Sequence, residues 1–142
     1  MIINKFDGEF RWLSNFHIIK IEYECVVYPS VEHAYQAAKT DDLDMKILIA
    51  SNPSPASAKS KGRSLGKPPG WHERSLIVMK DLLRIKFRDP YLRLKLVETG
   101  DAELVEGNTW GDRFFGVCNG VGENHLGKLL MEVRSEILKE RM

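Results

Sequence analysis

Apolar residues recur along this chain at the spacing of helices that bury one face. Within residues 31–39 the apolar positions follow the i, i+3, i+4, i+7 rule of a single helical face: Val31, Ala34, Tyr35 and Ala38. Ser30 stands just before this stretch, and serine is a favoured N-cap residue. We therefore expect a helix over residues 31–39 that Ser30 opens.

Five further helices are predicted from similar stripes and from the proline, glycine and capping residues that punctuate them. They cover residues 43–50, 55 to about 61, about 71–87, 90 to about 99, and about 124–140. The helices at about residues 71–87 and 124–140 carry their apolar residues on one side, so each is expected to pack against a core.

Three other stretches carry strand or loop signals. Residues 18–28 are rich in β-branched and aromatic side chains, which predicts strand, turn and strand. Residues 62–70 hold three glycines and two prolines, which predicts a loop. Leu104 and Val105 predict a short strand. We expect residues 1–142 to form one compact α+β domain, rich in helix, with a small antiparallel sheet near the N-terminus.

The composition is typical of a globular protein, with 43% hydrophobic and 29% charged residues. No apolar run approaches the ~18 residues of a membrane span, and the N-terminus lacks the apolar core of a signal peptide. Cys25 and Cys118 lie far apart in sequence, as expected for reduced thiols of a cytoplasmic protein. The four histidines show no metal-ligand spacing. We expect a cytoplasmic protein without a membrane partner, and the oligomeric state stays open.

The charge of +1 is unevenly distributed along the chain. Residues 59–95 contain eleven Lys and Arg against three Asp and Glu, a net charge of +8, and the remaining residues carry −7. A basic segment in an acidic frame can attract phosphate, or it can be the solvated face of a helix. The small total charge argues against a large DNA-wrapping surface.

Three polar residues share one face of the helix predicted over residues 31–39, and two of them, Glu32 and Lys39, are candidates for chemistry. Glu32, Gln36 and Lys39 stand at i, i+4 and i+7 and share one face. An acidic residue in the first turn also suits the helix dipole, and surface helices often show such spacing. A functional role for Glu32 therefore depends on whether this face lines a cleft.

A second candidate segment precedes the last helix. Trp110, Gly111 and Asp112 are followed by Gly122 and Asn124 close to the helix start. Glycine lets the backbone approach a ligand, and a helix N-terminus offers N–H groups to an anion. Trp110 can form the wall of a pocket for a flat or sugar-like group. The Asp112 carboxylate can supply charge at a developing cation.

Three other positions have two interpretations each. Ser14 and Asn15 lie between bulky apolar residues, where they either hold a turn or face a ligand. Trp71 opens the predicted long helix, either as a packed anchor or as a stacking surface.

Two carboxylates and an amine, those of Glu32, Asp112 and Lys39, suit the cleavage of a glycosidic bond. A carboxylate stabilises the oxocarbenium-like transition state, while an acid protonates the leaving group. This hypothesis requires the helix at residues 31–39 and the loop at residues 106–124 to come together.

Taken together, these segments resemble the NADAR family, which is named for a predicted link to NAD and ADP-ribose. The resemblance covers about residues 4–140 and rests on several blocks in order: residues 14–16, 28–39, 63–66, 71, 110–112 and 122–131. It implies a helix-rich α+β fold with no metal and no cofactor. It also implies hydrolysis of the N-glycosidic bond that joins a ribose phosphate or ADP-ribose to an exocyclic amine.

The resemblance further implies which residues act and on what. The implied catalytic residues are Glu32, Lys39 and Asp112, and the implied substrate contacts are Ser14, Asn15, Arg63, Trp71, Trp110, Gly122 and Asn124. The substrate is either an early riboflavin-pathway intermediate or ADP-ribosylated guanine in DNA. Lys39 offers a second route through a Schiff base if burial or a nearby cation lowers its pKa. The alternative function is a non-catalytic module that binds ADP-ribose or a related nucleotide.

Overall fold

The structure is a computed structural model that describes residues 1–141. Its α-helices are α1 (Val31–Ala37), α2 (Leu43–Ala50), α3 (Pro55–Ser64), α4 (Trp71–Lys86), α5 (Pro90–Glu98) and α6 (His125–Glu140). Its strands are β1 (Ile2–Ile3), β2 (Ile21–Tyr23), β3 (Val26–Tyr28), β4 (Glu103–Leu104), β5 (Gly107–Asn108) and β6 (Val117–Cys118). A 3-10 helix spans Gly8–Leu13.

The chain divides into two units, and each is described by itself. The central unit, Asn15–Lys86, holds α1 to α4 with β2 and β3. The terminal unit is Met1–Ser14 with the described part of Phe87–Met142, and it holds the other elements. The predicted α+β class, rich in helix and with an antiparallel strand pair near the N-terminus, is confirmed. The assignment of residues 1–142 to one domain stays a prediction.

The buried helix of the central unit is α1. It packs against α2, α3, α4 and the β2–β3 pair, and all seven of its residues are buried. The Ser30 hydroxyl accepts a hydrogen bond from the His33 N–H at 3.2 Å, which confirms the predicted cap. The helix ends at Ala37, so Lys39 lies in the turn that follows and not in the predicted helix.

Helix α3 is longer than predicted. It runs to Ser64, so the predicted loop begins three residues too early. Gly62 does not have a positive φ, and a Cβ atom at this position would overlap the side chain of Gln36 in α1. Gly62 therefore allows the close approach of two helices and does not form a turn.

The terminal unit is built from two parallel strand pairs, two α-helices and the 3-10 helix. Strand β1 pairs with β4, and β5 pairs with β6. The Asp89 carboxylate accepts a hydrogen bond from the Leu92 N–H at 2.9 Å and caps α5. The predicted apolar stripe of α6 is buried: Leu126, Leu129, Leu130, Val133 and Ile137. Across residues 1–141, no helix has both the length and the apolar character that a membrane crossing needs.

Candidate active site

The first turn of α1 places Glu32 inside the central unit. Its backbone N–H donates to the Asn15 carbonyl oxygen at 3.1 Å, which ties the start of the helix to the segment before β2. Glu32 is buried, with only 8% of the residue exposed. A buried carboxylate is costly unless hydrogen bonds or a cation compensate it, so its neighbours decide what it can do.

Gln36, one turn further along α1, supplies such a hydrogen bond. Its Nε2 donates to Glu32 Oε2 at 2.6 Å, and both side chains are buried. The Gln36 amide therefore supplies a hydrogen bond to one oxygen of the buried carboxylate. The predicted polar face of this helix is therefore a connected pair inside the protein.

Lys39 follows in the turn after α1, half-buried, with Nζ 5.9 Å from the centre of the Tyr35 ring. Burial lowers the pKa of Lys39 from its usual 10.5, the Glu32 carboxylate raises it, and the cations Lys67 and Arg63 lower it further. The net direction is downward. A larger share of Lys39 is therefore the unprotonated, nucleophilic amine than in an exposed lysine.

Arg63 and Lys67 contribute positive charge to the surroundings of Lys39. Arg63 lies near the end of α3 and Lys67 in the loop that follows, and both side chains are exposed. Like charges around a half-buried amine repel one another, and an anion bound among them would remove that repulsion. The role of Arg63 as a substrate contact stays a prediction, and Lys67 is a further cation that acts on Lys39.

Trp71 begins α4 and is only 4% exposed. Its ring centre lies 5.4 Å from that of Tyr35, and the Arg74 guanidinium lies 5.3 Å from the Trp71 ring centre. Arg74 also donates to the Ala38 carbonyl oxygen at 2.9 Å. These contacts are those of a packed anchor that joins α4 to the end of α1. The role of Trp71 in stacking on substrate stays a prediction.

Asn15 has a buried polar atom that the described residues do not satisfy. Its Nδ2 donates to Met79 Sδ at 3.5 Å, whereas its Oδ1 has no hydrogen-bond partner within residues 1–141. An unsatisfied buried acceptor costs about 1–3 kcal/mol. A hydroxyl or amine of a ligand is the kind of group that would satisfy it, as expected for a substrate contact.

Asp112 of the terminal unit is held by the backbone of its own loop. Its Oδ1 accepts hydrogen bonds from Phe114 N at 3.1 Å and Phe115 N at 3.0 Å. The Asn108 side chain brackets the same residue, because its Oδ1 accepts from Asp112 N at 3.1 Å and its Nδ2 donates to Asp112 O at 2.8 Å. One carboxylate oxygen therefore shapes the loop. Its predicted catalytic role stays a prediction.

Asn124 and Gly122 each have a structural reason to be where they are. Asn124 Oδ1 accepts from Glu106 N at 3.0 Å, and its Nδ2 donates to Leu104 O at 2.9 Å. Gly122 has a φ of +155°, and a Cβ atom there would overlap the carbonyl oxygen of Gly116. The role of Asn124 and Gly122 as substrate contacts stays a prediction.

Ser14 and Trp110 complete the predicted set in the terminal unit. Ser14 follows the 3-10 helix and donates its backbone N–H to Arg11 O at 2.9 Å. Trp110 is 60% exposed, as expected of a side chain that can cover a ligand. Both stay predictions as substrate contacts.

The central unit brings together half of the predicted residues: Glu32, Lys39, Asn15, Arg63 and Trp71. The meeting of Asp112 with Glu32, which the glycosidase hypothesis requires, stays a prediction. Sequence reasoning did not assign Gln36 or Lys67 to the site. The i+4 spacing from Glu32 is a signal for Gln36, but Lys67 lies in a segment rich in glycine and proline with no helical register. Within residues 1–141, no group of three or more His, Cys, Asp or Glu is arranged to hold a metal ion.

Comparison with known proteins identifies the family. A family profile described as the NADAR domain matches residues 3–138. The chain belongs to the NADAR family. The fold of this NADAR chain is similar to the NMR structure of the E. coli protein YbiA, with a TM-score of 0.88 and 34% sequence identity, over 99% of this chain and 86% of that chain.

Two relatives of the NADAR chain carry functional names. N-glycosidase YbiA of Escherichia coli (strain K12) is 36% identical over 132 residues, which cover 90% of this chain and 82% of that protein. Riboflavin biosynthesis protein VVA0006 of Vibrio vulnificus is 36% identical over 135 residues, which cover 92% of this chain but only 36% of that protein. The chain thus spans about a third of the Vibrio relative. The expected enzyme class, an N-glycosyl hydrolase, is confirmed at this general level.

Proposed function

We propose that this NADAR chain hydrolyses the N-glycosidic bond between a phosphorylated ribose, as ribose phosphate or ADP-ribose, and an exocyclic amine. The observation that carries the proposal is the buried Glu32 carboxylate beside Lys39, a lysine whose pKa is lowered chiefly by burial. The names of the E. coli and Vibrio relatives, an N-glycosidase and a riboflavin biosynthesis protein, support this chemical class. The proposed location is the cytoplasm, since both cysteines are free thiols.

The geometry of the central unit favours a route in which Lys39 is the nucleophile. A ribosylamine opens to an imine at the anomeric carbon. The unprotonated Lys39 amine adds to that carbon and gives a proton to the Glu32 carboxylate, which passes it to the departing exocyclic amine. The bond from the carbon to that amine breaks as a Lys39 imine forms. Water then hydrolyses this imine, which frees the ribosyl aldehyde and restores Lys39.

Direct displacement by water is the second route. Here Glu32 stabilises positive charge at the anomeric carbon while Asp112 moves a proton, with a contribution of about 10²–10⁴-fold. This route depends on Asp112, whose Oδ1 is held by two N–H groups of its own loop. The two routes therefore differ in whether Lys39 or Asp112 is indispensable.

The proposed substrate contacts follow from the charges of the central unit and from the unsatisfied acceptor of Asn15. Arg63 and Lys67 are the proposed phosphate contacts, since they are the cations that act on Lys39. The Asn15 Oδ1 is the proposed acceptor for a ribose hydroxyl or the exocyclic amine. Trp110 is the proposed cover for the base, because it is largely exposed.

Parallel incubation with two substrates tests the proposal. The protein is mixed with a phosphoribosylamino-pyrimidine in one arm and with DNA that carries ADP-ribosylated guanine in the other, and release of free base is followed. Glu32→Gln is the matched control, because it removes the charge and keeps the shape. Release in one arm identifies the substrate class. Binding without release in both arms favours the non-catalytic module and contradicts the proposal.

A further inference from the structure

The chain contains a single glutamine, Gln36, and its side chain is wedged between α1 and α3. The residue is 4% exposed. A Cβ atom on Gly62 would overlap Gln36 Oε1 and would lie 2.7 Å from Gln36 Cβ, closer than real side chains approach. The amide of Gln36 therefore occupies the space that the missing side chain of Gly62 leaves.

Gly62 has no local reason to be glycine. It lies inside α3, and its φ is not among the positive values that favour glycine. Glycine in a helix interior lowers helix stability relative to alanine. The function of Gly62 is therefore the room that it gives to the Gln36 amide.

Chemistry fixes which way this amide points. With Nε2 toward Glu32, the amide donates to Oε2 at 2.6 Å. A half-turn of the amide would place Oε1 against the carboxylate oxygen, and two acceptors repel each other while Glu32 is ionised. The packed Gln36 side chain therefore holds a donor at one fixed place beside the carboxylate.

We propose that Gln36, locked by Gly62, is the positioning residue that orients the Glu32 carboxylate for proton transfer. The effect on turnover rests on the proposed function, whereas the orientation of Glu32 does not. The charges that act at this place are Glu32 itself, Lys39 in the turn after α1, and Arg63 and Lys67 next to Lys39. A change at Gln36 or Gly62 removes none of these four ionisable groups, so its effect reports the hydrogen bond and not the loss of a charge.

The first experiment needs no substrate. In a sample labelled with ¹⁵N-glutamine, one side-chain NH2 group is observed by NMR, because Gln36 is the only glutamine. We expect one of its two protons to resonate downfield, and we expect this displacement to disappear in Glu32→Ala and in Gly62→Ala. Ser60→Ala is the matched control, since Ser60 is exposed on the same helix, and it should leave the signal unchanged. An amide signal that is the same in the wild type and Glu32→Ala contradicts the proposal, even where Gly62→Ala fails to fold.

The second experiment measures turnover. Gln36→Met keeps the approximate volume and removes the donor. We expect kcat to fall by about 10- to 100-fold with KM nearly unchanged, because the carboxylate is displaced but substrate contacts remain. We also expect the acid limb of the pH–rate profile to move to higher pH, since the ionised carboxylate loses a donor. A rise in KM with kcat unchanged contradicts the positioning role.

A double variant tests the link between the two residues. The methyl group added by Gly62→Ala meets the side chain of residue 36 itself, so Gly62→Ala combined with Gln36→Met should slow turnover by less than the product of the two single losses. Losses that multiply contradict the proposal, because they show that the residues act separately.

The two kinds of result separate this inference from the proposed function. An intact amide shift together with no base release in either substrate arm contradicts the proposed function alone. Base release together with an amide signal insensitive to Glu32→Ala contradicts the positioning role alone.

Discussion

Glu32 in the central unit and Asp112 in the terminal unit are carboxylates held in opposite ways. Glu32 accepts a side-chain hydrogen bond from Gln36 and acts electrostatically on Lys39. Asp112 Oδ1 accepts hydrogen bonds from the backbone N–H groups of Phe114 and Phe115. A carboxylate that accepts from N–H groups of its own loop mainly stabilises the conformation of that loop. A carboxylate that accepts from another side chain is held beside groups with which it can exchange protons. This difference favours the central unit as the place of the proposed chemistry.

The largest expected effect is that of Lys39→Ala on base release. It removes the proposed nucleophile, and Glu32→Gln removes its proton acceptor, so each should slow release by about 10²–10⁴-fold. Single-turnover measurement of free base checks this. Lys20→Ala, an exposed lysine of the same unit, is the control and should keep full activity. A Lys39→Ala enzyme that stays within tenfold of the wild type removes the lysine route.

Asn124→Ala should show the largest effect on stability in the terminal unit. The change leaves the Glu106 N–H and the Leu104 carbonyl without their partner. Each lost partner costs about 1–3 kcal/mol, so the free energy of unfolding should fall by about 2–6 kcal/mol. Urea unfolding measures it. Unchanged stability with a raised KM would instead support the predicted role of Asn124 as a substrate contact.

A pair of variants at Asp112 sharpens the comparison. Asp112→Asn keeps an Oδ1 acceptor for the two loop N–H groups, so activity and stability should stay close to the wild type. Asp112→Ala removes both hydrogen bonds and should lower the free energy of unfolding by about 1–2 kcal/mol. Steady-state kinetics and urea unfolding of both variants are the measurements. A loss of about 100-fold in kcat for Asp112→Asn would make Asp112 a catalytic group of the second route.

The stability of the central unit should depend on pH through His33. Its Nε2 donates to Asn52 O at 3.0 Å and its Nδ1 accepts from Ser30 Oγ at 2.7 Å, since a carbonyl can only accept. Burial lowers the pKa of His33 below its usual 6.5, although the hydrogen bond to Asn52 opposes this. The unfolded chain therefore binds the proton more readily. The contribution of His33 to the free energy of unfolding is fully present above pH 6.5, and it is lost as the pH decreases through the lower pKa of the folded state.

Urea unfolding at a series of pH values from about 7.5 to about 5 measures this dependence. His33→Asn should flatten the decline, because asparagine does not titrate. If the free energy of unfolding falls as steeply with decreasing pH in His33→Asn as in the wild type, titratable groups other than His33 cause the fall.

The smallest expected effect is that of Lys67→Gln on the pH–rate profile. Lys67 is one of the two cations that lower the pKa of Lys39, so its removal should raise that pKa and move the rising limb of the profile to higher pH. The shift should shrink with added salt, because Lys67 is exposed. Lys20→Gln serves as the control. If the rising limb of the pH–rate profile does not move in Lys67→Gln, the ionisation of Lys39 does not determine that limb.

Local chemistry explains why much of the fold could be predicted. Helix α2 has the predicted bounds Leu43–Ala50, and the Asp42 side chain accepts from Asp44 N at its start. The β1–β4 pairing was not predicted, because two-residue strands show no alternation and their partners lie about a hundred residues apart. The end of α3 was predicted too early, because a glycine such as Gly62 usually indicates a loop. Its helical conformation depends on packing against a residue that is distant in sequence, Gln36.

The candidate site was predictable to the extent that it follows helix spacing. The i, i+4 and i+7 positions identified Glu32 and Lys39, although Lys39 lies just beyond the end of α1. No pattern in the chain links Gly62 to Gln36 or Lys67 to Lys39, because those contacts depend on how α3 and its following loop pack. The resemblance implied a substrate contact at Asn124, but the sequence did not indicate its two hydrogen bonds to Leu104 and Glu106.

Borohydride trapping tests the central claim most directly, namely that Lys39 beside Glu32 attacks the ribosyl carbon. The protein is mixed with the substrate that releases base, reduced during turnover, digested and analysed by mass spectrometry. The account predicts a reduced ribosyl adduct on the peptide that contains Lys39, and none in the Lys39→Ala variant. Full base release by the wild type with no adduct on any lysine would contradict it.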